Sequence, residues 1–211
     1  MSKPFDATLK TLLEESPVDW PALAGHPEQT VEVIDADIST FTGATDKVLR
    51  VRGLPDWIMH FEFQSGPDAT LPRRLHGYNA LLEQRHDLLV RSVVVLLRRQ
   101  ADLANVTGVY ERQFANEPAY LAFRYQVLRV WQLPVERLLA GGLGTLALAP
   151  ISAVAEAELA GVIAQMRERM RGQPRSKVSN LWGMTYILMG LRYEQALVSQ
   201  LLEGWWQWKN P

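Results

Sequence analysis

Glu62 and Gln64 are the first residues of this chain whose types and spacing suggest chemistry. They belong to the segment 57–64, in which large apolar side chains alternate with other residues. Side chains of a β-strand point alternately to its two faces, so Glu62 and Gln64 would project from the same face. The opposite face is wholly apolar and requires a core. A carboxylate and an amide on one face suit a site that binds a divalent cation beside a phosphate.

The segment 46–52 supplies a second carboxylate, Asp46, if it pairs with 57–64 as an antiparallel hairpin. A Gly-Leu-Pro-Asp sequence between the two segments is a strong turn signal that favours this hairpin. Centring the hairpin on Leu54 sets Asp46 opposite Glu62 and gives both strands the same apolar face. The sequence therefore predicts two carboxylates side by side.

Two carboxylates this close repel each other unless a cation lies between them or one of them is protonated. Mg²⁺ prefers oxygen ligands and would activate water there, but an Asp at a strand start and a Glu on a solvated face are also ordinary. Asp35 and Asp37 could substitute for Asp46, although only Asp46 meets Glu62 in this register. His60 lies one step farther along the same face and is predicted to be a hydrogen-bonding neighbour rather than a ligand.

Hydrophobic periodicity predicts an α/β fold in which helices cover a mixed β-sheet. The predicted elements, in chain order, are a helix at 4–15, strands at 31–34, 47–52 and 57–64, a helix at 72–87, strands at 89–97, 107–111 and 120–131, and helices at 134–141, 152–171, 177–190 and 193–208. The nearly continuous apolar run at 89–97 is typical of a strand buried on both faces.

The composition is that of an ordinary globular protein, with 211 residues, 47% hydrophobic and 21% charged, and a net charge of -1. No global basic field attracts nucleic acid, so such binding would need local patches. The chain has no cysteine, which excludes disulfides, thiolate metal sites and a Cys nucleophile. No signal-peptide-like or membrane-spanning apolar run is present, and we expect a cytoplasmic protein with no membrane partner.

The spacing of Asp46 and Glu62-x-Gln64 resembles the PD-(D/E)xK nuclease signature in its Glu-x-Gln form. More specifically, the chain is similar to the recombination-promoting nuclease family, whose members are also described as transposases. The likeness runs through most of residues 4–150 and more loosely beyond. The segments that carry it are Phe5-Asp6, Lys10, Thr45-Asp46-Lys47-Val48-Leu49-Arg50-Val51, Phe61-Glu62-Phe63-Gln64-Ser65, Pro72-Arg73-Arg74-Leu75, Tyr78 and Leu191-Arg192-Tyr193.

The resemblance implies a restriction-endonuclease-like fold and DNA cleavage that depends on Mg²⁺, with Mn²⁺ able to substitute. It implies that Asp46, Glu62 and the main-chain carbonyl of Phe63 hold the metal, while Gln64 positions the attacking water where the signature has a lysine. Thr45 stands where the signature has a proline. The residues implied to contact DNA or to support the site are Asp6, Lys10, Arg74 and Tyr78. Because Gln offers neither charge nor basicity, the alternative is an inactive nuclease-fold module that binds DNA or protein.

The predicted domains are a nuclease-like domain at 1–150 and a helical C-terminal extension at 151–211 that packs on it. The ordinary interpretation of Asp6 and Lys10 is an i,i+4 surface pair, and that of Arg74 is a solvated helix face. The C-terminus contains three tryptophans, Trp205, Trp206 and Trp208, which are too apolar for a free tail. We expect them to pack on the domain or in a homodimer contact.

Overall fold

The computed structural model describes residues 4–27, 30–34 and 47–209, and it leaves the side chains of Pro4, Asp6 and residues 204–209 outside the description. The predicted ligand Asp46 lies outside the described residues, as do its alternatives Asp35 and Asp37.

The described elements confirm an α/β fold with a mixed sheet. In chain order they are α1 (Pro4–Glu15), α2 (Asp19–Leu23), β1 (Val31–Ile34), β2 (Lys47–Val51), β3 (Trp57–Gln64), α3 (Leu71–His86), β4 (Val90–Leu96), β5 (Val109–Arg112), β6 (Leu121–Arg124), β7 (Gln126–Arg129), α4 (Val135–Ala140), α5 (Leu143–Leu146), α6 (Leu159–Arg169), α7 (Arg175–Met189) and α8 (Gln195–Lys209). Two predicted bounds were wrong: the strand at 120–131 is two strands and a 3₁₀ turn, and the helix at 152–171 begins only at Leu159.

The chain forms two compact units. The helical unit contains Met1–Pro27 and Val130–Pro211, and the sheet unit contains Glu28–Arg129. The division of the sequence into 1–150 and 151–211 follows from the family resemblance and stays a prediction. No helix among the described residues has both the length and the apolar character needed to cross a bilayer.

The helical unit is built from two distant parts of the sequence. α1 packs against α5 and α7, and α2 packs against α5. The predicted buried side of α1 is confirmed, because Leu9, Leu12 and Leu13 are almost completely buried. Between α2 and α5, Oδ2 of Asp19 accepts a hydrogen bond of 2.6 Å from the main-chain nitrogen of Gly144.

The main sheet of the sheet unit has the strand order β1-β2-β3-β4-β7. β2 is antiparallel to both β1 and β3, whereas β4 is parallel to both β3 and β7. The predicted hairpin register is confirmed from Lys47 to Val51, and it sets Val48 opposite His60. β3 is therefore a central strand, with β2 on one side and β4 on the other.

α3 covers the face of β3 that carries His60 and Glu62. The helix ends before Asp87, whose left-handed φ of 52° is a common helix stop. Its apolar side chains at helical spacing are buried, and Tyr78 and Leu82 form a cluster with residues of β2 and β3. Both faces of β3 are consequently covered, since the side chains from Ile58 to Phe63 are all buried.

A small second sheet consists of the β5–β6 hairpin. Its two ends lie together, because the main-chain nitrogen of Tyr125 donates to the oxygen of Gly108 at 2.9 Å. The rings of Phe114 and Tyr120, near the tip, are 5.3 Å apart and mostly exposed. The predicted strand at 120–131 divides here because its first half pairs with β5 and its second half pairs with β4.

Candidate functional site

The carboxylate of Glu62 lies near the C-terminal end of β3 and is 5% exposed. Its Oε1 accepts a hydrogen bond from Nη2 of Arg74, which lies in the first turns of α3. The other terminal nitrogen of Arg74, Nη1, donates to Oδ2 of Asp68 at 2.6 Å. One guanidinium therefore joins two carboxylates, one on the central strand and one in the loop that leads to α3.

Charge balance explains how these groups remain ionised. Burial works against the charged form of Arg74, but the carboxylates of Glu62 and Asp68 outweigh it and raise the pKa of the guanidinium. Burial would also raise the pKa of Asp68, yet hydrogen bonds from Thr70 and the charge of Arg74 lower it. The hydroxyl and the main-chain nitrogen of Thr70 both donate to Oδ1 of Asp68, at 2.6 and 2.8 Å.

His60 lies beside Glu62 and is completely buried. Its Nδ1 is 3.2 Å from Oγ of Ser92 on β4, and its predicted place beside a metal ion stays a prediction. The ring of Tyr78 stands edge-on to the imidazole, with the ring centres 5.9 Å apart. Burial, and then the positive charge of Arg74, lower the pKa of His60 to about 4, so the ring is neutral near pH 7.

The amide of Gln64 is bound to the loop that follows β3. Its Nε2 donates to the main-chain oxygen of Gly66 at 2.8 Å, which fixes the side chain at the edge of the site. One proton of the amide nitrogen is thus engaged within the protein, and a water molecule would be oriented by the second proton or by Oε1.

The direction of the main-chain carbonyl of Phe63 follows from the main-chain hydrogen bonds of the neighbouring residues in β3. The nitrogen of Ile58 donates to Leu89, and the oxygen of Gln64 accepts from Leu97, so even-numbered residues of β3 turn their main-chain groups toward β4. In a strand these directions alternate, so the carbonyl of Phe63 points to the side of β2. This is the side on which Lys47, the residue that follows Asp46 in sequence, pairs with β3.

The structure brings together four of the residues that sequence reasoning considered: His60, Glu62, Arg74 and Tyr78. Tyr78 is 5% exposed and packs on His60. Lys10 is a half-buried residue of α1 in the helical unit, and the side chain of Asp6 lies outside the described residues. The roles implied for Asp6 and Lys10 stay predictions. So does the dimer contact of the tryptophans, whose side chains are not described.

Three residues of the site were missed: Asp68, Asn79 and Ser92. Signals for two of them are present in the sequence. Asn79 follows the buried residues Leu75 and Tyr78 of α3 at helical spacing, and Ser92 interrupts the apolar run of β4. A polar side chain at a buried position needs a hydrogen-bonding partner, and these two partner each other.

No group of three or more His, Asp or Glu side chains is placed to hold a metal ion in the part of the chain that the structure describes. The positive charge beside Glu62 there is the guanidinium of Arg74. Comparisons with protein-family models, with curated proteins and with solved structures found no match for this chain.

Proposed function

We propose that this chain is a Mg²⁺-dependent DNA endonuclease of the recombination-promoting, transposase-like type, built on a restriction-endonuclease-like fold. The order of elements supports this proposal. A helix precedes three antiparallel strands, and α3 then leads to β4, which is parallel to β3. This is the helix–strand–strand–strand–helix–strand order on which the family resemblance depends.

The observation that carries the proposal is the combination of the hairpin register with the buried carboxylate of Glu62. The register holds for every described residue of β2 and is the one in which Asp46 was predicted to meet Glu62. A carboxylate that is 5% exposed must have a positive partner, since an unpaired buried charge is very unfavourable. Arg74 is this partner in the structure, and a bound cation would take the same role if Arg74 turned to a phosphate.

In the proposed site, Asp46, Glu62 and the main-chain oxygen of Phe63 would hold Mg²⁺, because hard oxygen donors are the ligands this ion prefers. When bound, the ion would supply a water of lowered pKa and would offset charge on the scissile phosphate. Arg74 would keep Asp68 as its partner and offer the rest of its guanidinium to a phosphate oxygen. Gln64 would keep its bond to Gly66 and would contact the attacking water through its second amide proton or its Oε1.

A second candidate is an inactive nuclease-fold module that binds DNA or protein. Two observations favour it: Arg74 already neutralises Glu62, and the amide of Gln64 is engaged by Gly66. Neither the guanidinium of Arg74 nor the amide of Gln64 can act as a general base that deprotonates water. This candidate predicts a protein that binds its partner without cleaving a phosphodiester bond.

A plasmid-nicking assay with Mg²⁺ separates the two candidates. We expect the purified wild-type chain to nick supercoiled DNA, and Asp46→Asn and Glu62→Gln to lower the rate by roughly two orders of magnitude or more. Glu111→Gln is the matched control, because Glu111 is an exposed carboxylate of β5 in the same unit. DNA binding without nicking by the wild type would favour the inactive module, and nicking by Glu62→Gln at the wild-type rate would refute the proposed site.

A further inference from the structure

A row of polar side chains, which begins at the half-buried Asn79 and continues through the buried Ser92 and His60, connects α3 to Glu62 through β4 and β3. Nδ2 of Asn79 donates to the main-chain oxygen of Val90 at 3.0 Å and to Oγ of Ser92 at 3.1 Å. Oγ of Ser92 is 3.2 Å from Nδ1 of His60. Ser92 and His60 are 1% and 0% exposed, so no bulk water competes for these contacts.

The direction of each hydrogen bond follows from the groups at the two ends. A main-chain oxygen only accepts, so the Asn79 atom that faces Val90 must be the amide nitrogen. That nitrogen has a second proton, which it donates to the hydroxyl of Ser92. The hydroxyl, having accepted one bond, then has its own proton available for Nδ1 of His60.

The tautomer of His60 is fixed in this way. The imidazole is completely buried and Nδ1 faces the hydroxyl of Ser92, which has a proton to donate, so we take the ring in its neutral form with a single proton. If Nδ1 accepts from Ser92, that proton lies on Nε2. Nε2 is buried and has no hydrogen-bond partner among the described residues, and it is 3.9 Å from Oε2 of Glu62.

We propose that His60 is a positioning residue for Glu62. Held by Asn79 and Ser92 as the Nε2–H tautomer, it directs its N–H to Oε2 of the carboxylate, whose Oε1 is bound by Arg74. A buried N–H gains free energy by reaching an acceptor, and a small rotation of the Glu62 carboxylate closes the remaining gap. The carboxylate is then oriented through both of its oxygens. Its use as a metal ligand rests on the proposed function.

Nitrogen-15 NMR of the full chain, labelled at its four histidines, tests the tautomer without any metal. We expect Nδ1 of His60 to give the signal of an unprotonated ring nitrogen and Nε2 that of an N–H. Ser92→Ala removes one oxygen atom and should populate both tautomers, and Asn79→Ala is a second variant with the same expectation. Ser152→Ala is the matched control, since Ser152 is a buried serine of the helical unit whose hydroxyl donates to Ala149. A proton on Nδ1 in the wild type would overturn the proposal.

The chemical shift of the Nε2 proton of His60 tests the contact with Glu62. In Glu62→Gln the acceptor loses its charge, so this proton should shift upfield, and an unchanged shift would also overturn the proposal. In a separate titration with Mg²⁺ alone, we expect Ser92→Ala to lower the affinity about tenfold and Ser152→Ala to leave it unchanged. If the wild type binds no Mg²⁺, the proposed function fails, while the two NMR results still decide the role of His60.

Discussion

At the scale of single residues, the contact between Glu62 and Arg74 is asymmetric. The side chain of Glu62 is 7% exposed, whereas that of Arg74 is 35% exposed. Water can solvate a released Arg74, but it has little access to Glu62. The free energy of this ion pair therefore depends mainly on the carboxylate, which is costly to leave buried without a positive partner.

Replacing Arg74 with methionine should lower the free energy of unfolding by roughly 2–3 kcal/mol, because Glu62 keeps its burial and loses its cation. Adding Glu62→Gln to this variant should restore part of the loss, since a neutral amide is less costly to bury. Arg171→Met serves as the control, because Arg171 pairs with Glu168 on an exposed helix surface and should contribute at most about 0.5 kcal/mol. Urea unfolding gives the free energy of unfolding of the wild type, the two single variants and the double variant. Equal losses of stability in Arg74→Met and Arg171→Met would contradict this interpretation.

The sequence predicted which face of β3 carries Glu62, because strand alternation is a local property. It did not predict that Arg74 would reach Glu62 or that Asp68 would hold Arg74. Those contacts depend on the path of the loop between β3 and α3 and on the rotation of α3 about its axis. Neither is encoded in a pattern of a few residues.

At the scale of elements, the turn between β2 and β3 is organised by Asp56. Its Oδ1 accepts from the main-chain nitrogen of Gly53 at 3.0 Å, and its Oδ2 accepts from Arg50 and Arg52. The hydrogen bond from Gly53, together with the two arginines, lowers the pKa of Asp56 from 3.8, although desolvation opposes the shift. Asp56 therefore stabilises the hairpin only while it is ionised.

The lowered pKa of Asp56 determines how the stability that this residue contributes changes with pH. Replacing Asp56 with Asn keeps an acceptor for Gly53 but removes the charge, so we expect a lower melting temperature at pH 7. A carboxyl with a depressed folded-state pKa contributes stability above its unfolded pKa, and that contribution is lost as the pH falls through the folded value. The difference from wild type should therefore shrink below pH 3.8. Thermal melts across this range test it, with Glu117→Gln in the β5–β6 connection as control, and a difference that does not vary with pH would argue against it.

Most elements could be predicted from the sequence, and the β2–β3 register could be predicted from the turn and the apolar faces. The segment 120–131 shows what a local sequence pattern could not predict. Its Val, Tyr and Phe content indicates a strand, but β6 and β7 belong to different sheets. Which sheet a strand joins is decided by partners distant in sequence, such as β4, and no local pattern specifies them.

At the scale of the whole molecule, the helical unit depends on contact between segments far apart in the chain. Asp19 of α2 binds the main chain of Gly144, and α5 begins directly after Gly142. A Cβ placed on Gly142 would lie 1.7 Å from Oδ1 of Asp19. An alanine at this position would therefore displace the carboxylate of Asp19 from its bond to Gly144.

Gly142→Ala should destabilise the chain by about 1–3 kcal/mol, because Asp19 must give up its bond to Gly144, or α2 or α5 must shift, to admit the methyl group. Gly161→Ala is the matched control in the same unit: it lies in α6 with open space around its Cα, so alanine should stabilise the helix. Urea unfolding compares the two, and hydrogen exchange should show faster opening of α2 and α5 only in Gly142→Ala. Stabilisation by both substitutions would disprove the role of this contact.

The closed stem of the β5–β6 hairpin has a consequence for engineering. Because Gly108 and Tyr125 are hydrogen-bonded to each other, the β5–β6 hairpin begins and ends at neighbouring points of the sheet unit. The connection between β5 and β6 is exposed from Gln113 to Tyr120. An exposed tip on a closed stem is the kind of place where added sequence is tolerated. A peptide tag or a fluorescent domain grafted between Asn116 and Glu117 would leave the strands that carry His60 and Glu62 in their present pairing.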